Sequence, residues 1–321
     1  MKYSYYPGCS LERQAGAYHQ SALAVAAPLG IELVELEDWN CCGAIEYIAV
    51  ELLPAYALIS RNLALAAQQN GKGGNQLVAP CSACYLNLSK ADKYMDESPD
   101  LAAQVNTALA AGGLNYTPGS IRTRHLLDVI VNDIGFDKVK QHVSNALSGL
   151  RVAPYYGCVA VRPGFHDHFD DHEYPTSMDK LMQVMGAQVV DFPLKAHCCG
   201  GHMTQISQSV ALELIRRLLK NANDYAADVI VTICPMCQLN LDAYQENVNR
   251  HFGTDYQIPI LYFTQLMGLA FGLAPEELGI GKEFIDARPA LAKVGQVGEA
   301  AAGRTKRDKK ALPMPRMAGE V

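Results

Sequence analysis

Apolar residues along this chain recur with two different periods, and the periods alternate. Residues 2–6, "KYSYY", form a short β-rich run that ends at Pro7-Gly8-Cys9. Over 12–28, Ala and Leu return every third or fourth position, which predicts a helix. Residues 31–36, "IELVEL", alternate as a half-buried strand does. An Ala/Leu-rich stretch, 46–70, predicts a long helix that stops at Asn70-Gly71. Residues 75–80 read as a buried strand that delivers Cys81, with a helix following from 83. The succession then repeats: strands at 151–157, 187–192 and 228–233, and helices at 176–185, 203–222 and 236–250. Residues 99–150 add two helical stretches, and the nearly apolar run 260–274 reads as a buried helix, too short to span a bilayer.

The cysteines follow the same repeat. Cys9 is followed by 31 residues, Cys41-Cys42, 38 residues, and Cys81-x-x-Cys84. Cys158 is followed by 39 residues, Cys198-Cys199, 34 residues, and Cys234-x-x-Cys237, which accounts for all ten. The flanks agree as well: "YYPGC" with "YYGC", "CCGA" with "CCGG", "CSACYLNL" with "CPMCQLNL", and "RTRHLLDVIVNDIG" with "ILYFTQLMGLAFG". This is a duplication. Strands separated by helices predict parallel pairing, and sites on such sheets gather outside the carboxyl ends of the strands. The expected fold is α/β: two duplicated Rossmann-like halves with parallel sheets and cysteine clusters at the strand C-terminal edges. Its divisions are a first domain over 1–149, a second over 150–286 with its own ligand set and a largely separate core, and a tail over 287–321. The tail is Ala/Gly-rich, then basic ("GRTKRDKK"), then broken by prolines, and is expected to be weakly folded.

Composition narrows the function. With 321 residues, 49% of them apolar, and a formal net charge of −6, the chain is an ordinary globular sequence that does not suit nucleic acid as its main partner. No export signal or membrane span is read, so a cytoplasmic setting is expected. There thiols stay reduced and serve as ligands or redox groups rather than as disulfides.

Five thiols per set exceed the four of a tetrahedral zinc site, and adjacent cysteines suit an extended polynuclear centre better than one ion. Gly43 and Gly200 would allow the sharp bend, and helices after them would aim amides at an anionic group. Zinc remains the competitor, above all for the first set. A dithiol redox centre explains the Cys-x-x-Cys pairs but leaves Cys41-Cys42 and Cys198-Cys199 idle. Other candidates flank the thiols. Arg162 could hold an anionic substrate group or else pair with Asp170 or Asp171. His197 and His202 could move protons or only bond sulfur. His166, His168 and His172 with Asp167, Asp170, Asp171 and Glu173 could be a metal loop, but suit a charged loop at the site better. Trp39, Tyr5, Tyr6, Tyr155 and Tyr156 are expected to shield the thiols from water.

This duplicated order, with "RP" at Arg162-Pro163 and "FDDHEYPTSMDKLMQVMGA" over 169–187, resembles the catalytic B-type chain of heterodisulfide reductases, a duplicated CCG-domain family. The resemblance covers nearly the whole chain except the tail. It implies two 4Fe-4S clusters of the non-cubane type. Cys9, Cys41, Cys42, Cys81 and Cys84 would hold one, and Cys158, Cys198, Cys199, Cys234 and Cys237 the other, facing each other across a disulfide-binding cavity. Cys42, Cys199, His197, His202 and Arg162 become the catalytic candidates. The substrate would be a disulfide, a thiol or sulfane sulfur. Electrons would come through a small iron–sulfur C-type subunit and a flavoprotein A-type subunit, since no flavin fingerprint or P-loop is visible. The contrasting expectation is a non-catalytic electron-transfer subunit of a quinone-linked fumarate or succinate oxidoreductase.

Overall fold

In the first half, β1 (Lys2–Tyr5) buries all but its first residue, as a strand covered on both faces must. It pairs in parallel with β2 (Glu32–Glu35) on one side and β3 (Gln76–Ala79) on the other, and β3 pairs with β4 (Arg122–His125). The second half repeats this with β5 (Arg151–Tyr155), β6 (Gln188–Val189), β7 (Val229–Thr232) and β8 (Ile260–Tyr262). The sheet orders are β2-β1-β3-β4 and β6-β5-β7-β8, so the duplicated parallel α/β architecture is as expected. This computed structural model describes residues 1–44, 46–73, 75–164 and 169–296. The basic run at 303–310 and His166, Asp167 and His168 lie outside them.

Helices connect the strands. In the first half they are α1 (Gly16–Ala26), α2 (Glu46–Val50), α3 (Leu52–Gly73), α4 (Ser82–Glu97), α5 (Pro99–Ala110), α6 (Leu126–Asp128) and α7 (Phe136–Gln141). In the second half they are α8 (Ser177–Val184), α9 (Met203–Ile206), α10 (Gln208–Asp224), α11 (Pro235–Ala243), α12 (Gln245–Phe252), α13 (Phe263–Ala270) and α14 (Arg288–Leu291). None is long and apolar enough to cross a membrane among the described residues.

Three expected helices are each two. The stretch 46–70 breaks before Leu52 because Pro54 fits only in a first turn, where its missing N–H needs no partner. The stretch 203–222 breaks at Ser207, whose backbone is extended (φ −149, ψ 94), and 236–250 breaks at Tyr244. The run 260–274 is not one helix either. Its first three residues pair with β7 as β8, and only from Phe263 does it coil. A fully buried parallel strand and a buried helix are both continuous apolar runs, so periodicity cannot separate them. Strand β4 was hidden for the opposite reason: it reads Arg-Thr-Arg-His. Its buried Arg124 is matched by Asp128 and by Asp133, 3.1 Å away.

One boundary shifts, and one expected separation is absent. The tail does not begin at 287: Ala287 is fully buried, α14 follows, and Gly295 N donates to Ser148 O at 2.8 Å. Nor are the cores separate. One continuous core joins Tyr18, Val25 and Leu77 of the first half to Leu261, Phe263 and Met267 of the second, while the other face of the second sheet has its own cluster. The join is made by α1 lying on α13, with Ser21 Oγ 2.6 Å from Thr264 Oγ1. Phe263 sits in this seam, fully buried and edge-on to Tyr18.

Because the seam is core, Phe263→Ala should cost about 3–5 kcal/mol. Both halves should still melt in a single denaturant transition, followed by far-UV dichroism and by tyrosine emission. Two resolved transitions in the unsubstituted chain would contradict the shared core.

Candidate metal centre

The strands bring the thiols together. Cys81 and Cys234 each follow a central strand by two residues and stand at the N-caps of α4 and α11. Cys9 and Cys158 follow β1 and β5, and the Cys-Cys pairs lie beyond β2 and β6. All are carboxyl ends, so each five-cysteine set gathers at one sheet edge. In the first set Cys9 and Cys41 Sγ lie 3.4 Å apart, and Cys42 and Cys84 Sγ 3.3 Å apart. In the second, Cys158 contacts Cys198, and Cys199 and Cys237 Sγ lie 3.6 Å apart. The sets also touch each other, through Cys81 and Cys234, both buried. In the first set the contacts run from Cys9 through Cys41, Cys42 and Cys84 to Cys81, and in the second Cys237 touches both Cys199 and Cys234. Among the described residues, no three Cys, His, Asp or Glu side chains converge on a point that would hold a single ion.

The same local devices serve both sets. Gly43 and Gly200 have φ +73 and +96, as their bends demand, and donate their amides to Cys41 Sγ (3.4 Å) and Cys198 Sγ (3.3 Å). Those amides, not long helices, point at the sulfurs: α2 and α9 have only five and four residues. The residue before each first cysteine must also be Gly. A Cβ on Gly8 (φ +75) would stand 3.0 Å from Cys84 Sγ, and one on Gly157 (φ +70) 3.0 Å from Cys237 Sγ. Finally, Asn87 Nδ2 donates to Cys42 O (3.0 Å) and to Ala44 O, while Asn240 Nδ2 donates to Cys199 O (3.4 Å) and Gly201 O (2.7 Å). These asparagines hold the Cys-Cys-Gly turns onto α4 and α11. Sequence reasoning assigned them no role, although the shared "LNL" placed each three residues after a cysteine.

Charge follows from the pairing. A thiol donating to its neighbour is pushed up and the acceptor is pulled down. Cys9 is raised first by donating to Cys41 and then by burial, and Cys158 likewise through Cys198. Cys198 falls to about 6 by accepting from Cys158, and Cys42 and Cys234 are lowered by their thiol neighbours. Binding a cation must therefore expel the remaining protons.

The surroundings of the two sets differ. Cys9 and Cys41 open on a surface cavity of about 630 Å³ lined by Glu12, Glu35, Glu37, Asp38 and Trp39. Trp39 packs edge-on to Tyr6 at 5.3 Å and so forms one wall of this opening rather than closing it. Of the four tyrosines, Tyr6 and Tyr155 lie beside the sulfurs. Tyr5 bonds His19 instead, and Tyr156 bonds Asp179. At the second set, His197 receives Tyr155 O–H on its carbonyl, while its Nδ1 is buried without a hydrogen-bond partner among the described residues. Burial, then Arg162 and Arg217, lower its pKa. Burial lowers that of His202 too, which lies near Cys234 and bonds Glu46 across the halves. Arg162 pairs not with Asp170 or Asp171 but with Glu173, at 3.1 Å. Asp170 and Asp171 accept backbone amides of 171–177 and shape that loop. The loop is pinned by buried Lys195, whose Nζ bonds Asp179 and Pro175 O.

Comparison with known proteins agrees with this architecture. The cysteine-rich domain family CCG matches twice, over residues 3–89 and 152–242. The chain is 35% identical to the membrane anchor subunit of the 8-methylmenaquinol:fumarate reductase of Wolinella succinogenes, over 89% of this chain and 98% of that one. It is 30% identical to the B chain of the ferredoxin:CoB-CoM heterodisulfide reductase of Methanosarcina mazei, over 92% and 98%. A protein of Archaeoglobus profundus, described as similar to the B chain of heterodisulfide reductase, is 29% identical over 87% and 93%. Among solved structures, a hypothetical protein from Helicobacter pylori shares the fold, with a TM-score of 0.68 at 15% identity. The match covers 88% of this chain and 51% of that one.

The glycine requirement is testable. Gly157→Ala forces a left-handed alanine, at about 1–2 kcal/mol, and crowds Cys237, so metal content should fall in the second set alone. Gly164→Ala, whose Cβ would meet nothing within 4 Å, should leave it unchanged. Elemental analysis of both variants decides between them.

Proposed function

As the chain belongs to the CCG cysteine-rich domain family and carries that domain twice, we propose that it is the catalytic B-type chain of a heterodisulfide reductase-like complex. In that role it cleaves or forms a disulfide, or transfers sulfane sulfur. The observation that carries the reading is the meeting of two equivalent five-thiol sets at Cys81 and Cys234. The donor set fits an iron–sulfur centre: five sulfurs at each edge, with amides donating to them and Gly8 and Gly157 leaving room beside Cys84 and Cys237. Each set would hold one 4Fe-4S cluster of the non-cubane type, and the two together supply the two electrons that opening an S–S bond requires.

The chain's own residues support the rest. Arg162 is partly exposed, and its bond to exposed Glu173 is worth at most about 1 kcal/mol, so an anionic substrate group can displace the glutamate. Burial lowers the pKa values of His197 and His202, which favours the neutral imidazole that could take the proton of an incoming thiol. In the cleaving direction they would return it to the departing thiolate. Electrons would enter from a small iron–sulfur C-type subunit fed by a flavoprotein A-type subunit, in the cytoplasm.

A second reading has its own observation. Tyr47, Val50 and Leu52 beside α2, and Ile206 and Val210 beside α9, are exposed apolar residues after the two Cys-Cys-Gly turns. One relative is named as a membrane anchor subunit. A quinone-linked electron-transfer subunit would use such a surface and would not turn over a disulfide.

Anaerobically purified chain should contain about eight irons, four for each cluster; stoichiometric zinc without iron ends the proposal. The chain should accept electrons from a strong artificial donor but not from NADH. Cys42→Ala and Cys199→Ala should each abolish two-electron disulfide turnover while leaving iron in the other set. Near-normal turnover in Cys42→Ala would confine catalysis to the second set. Arg162→Ala should lower kcat/KM for an anionic disulfide by about 2 kcal/mol, mainly through KM, and Arg162→Lys should restore it only partly.

A further inference from the structure

The two halves differ in the segment that follows the first cysteine. After Cys9 the first half builds α1, whereas after Cys158 the described residues up to Thr176 build no helix. The counterpart of α1 between β5 and β6 is α8, which starts later after its cysteine; α1 packs chiefly against α13 and the turn Pro275–Leu278 of the other half. Tyr18, near its start, is fully buried. The Tyr18 hydroxyl lies 3.2 Å from Pro80 O and 3.3 Å from Ile233 O. These are the carbonyls of the residues immediately before Cys81 and Cys234. One O–H proton is shared between them in a three-centre bond. The Tyr18 ring stacks on Tyr262, centroids 4.3 Å apart and planes 7° apart, and Tyr262 ends β8 beside Thr232 of β7.

We propose that Tyr18 is a positioning residue that ties both Cys-x-x-Cys loops to one point and so sets the spacing and electronic coupling of the two cysteine sets. This rests on the reading that each set holds an iron–sulfur cluster. Strands β3 and β7 belong to different sheets, so no ladder fixes Cys81 relative to Cys234. Packing along α1 and α13 holds the halves together but is tolerant of small slides. A hydrogen bond to each loop is directional, and a fully buried hydroxyl has no water to exchange it for.

Tyr18→Phe in the full, iron-loaded chain removes the donor and keeps the ring on Tyr262. Ser21→Ala, one turn along the same helix, removes the bond to Thr264 and serves as the comparison. Iron content, the electron paramagnetic resonance of the chain reduced by two electrons, and kcat and KM are measured on all three proteins. The expected result is full iron in both variants, with spin–spin splitting between the two reduced sets altered in Tyr18→Phe only. Its kcat should fall while KM is kept. Unchanged splitting and kcat in Tyr18→Phe overturn the proposal. The same change in Ser21→Ala also overturns it, because the effect then belongs to seam packing at large. Loss of iron or of the folded state in Tyr18→Phe overturns it as well, since Tyr18 would then serve assembly rather than spacing. A fault in the cluster reading shows elsewhere: the unsubstituted chain itself would lack iron in one set, and the proposal would fall with it.

Discussion

Parallel pairing of the two central strands in each half, β1 with β3 and β5 with β7, is the constraint on which the sites depend. In a parallel sheet all carboxyl ends lie along one edge, so cysteines far apart in sequence reach the same place without any thiol chemistry drawing them there. The strand order strengthens this. The chain leaves β1 on one side to make β2 and returns on the other to make β3, which opens a crevice between the first and second central strands. Cys9 and Cys81 follow the two strands that flank that crevice, and Cys158 and Cys234 do so in the other half. Burial of the strands holds this edge in place, so the sulfurs are organised before anything binds them.

Within that frame, three kinds of residue bring the sulfurs to contact distance. A glycine lets the backbone turn, another leaves room for a sulfur to approach, and an asparagine on the following helix holds the Cys-Cys turn by its carbonyls. Both halves keep all three devices, which is why two sites diverged elsewhere can still share one geometry. The charge around them has not been kept. The first set opens beneath Glu12, Glu35, Glu37 and Asp38, while Arg162 and Arg217 stand near His197 at the second. The segment after each first cysteine diverged in length as well: in one half it leads directly to α1, which lies in the seam, and in the other a longer loop, which carries Glu173 to Arg162, precedes α8.

The amino-acid sequence by itself determined the duplication, the α/β class, the ten cysteines as two sets of five, and the carboxyl edges as their place. Strand and helix periods, and the spacing of a residue type with few structural uses, are local signals that survive without a fold. It could not separate β8 from α13, because a strand buried on both faces and a buried helix present the same apolar run. It hid β4, because Arg124 is tolerated inside only by virtue of Asp128 and Asp133. For Arg162 it offered a substrate anion or else Asp170 or Asp171 as partner and missed Glu173, since neighbours along a loop need not face each other. Only the tertiary structure decided that the halves share a core, that Tyr18 reaches both Cys-x-x-Cys loops, and that Cys81 meets Cys234. Those contacts join residues as far apart as Ser21 and Thr264, 243 positions along the chain. No period or motif encodes them, because they exist only once two sheets have packed.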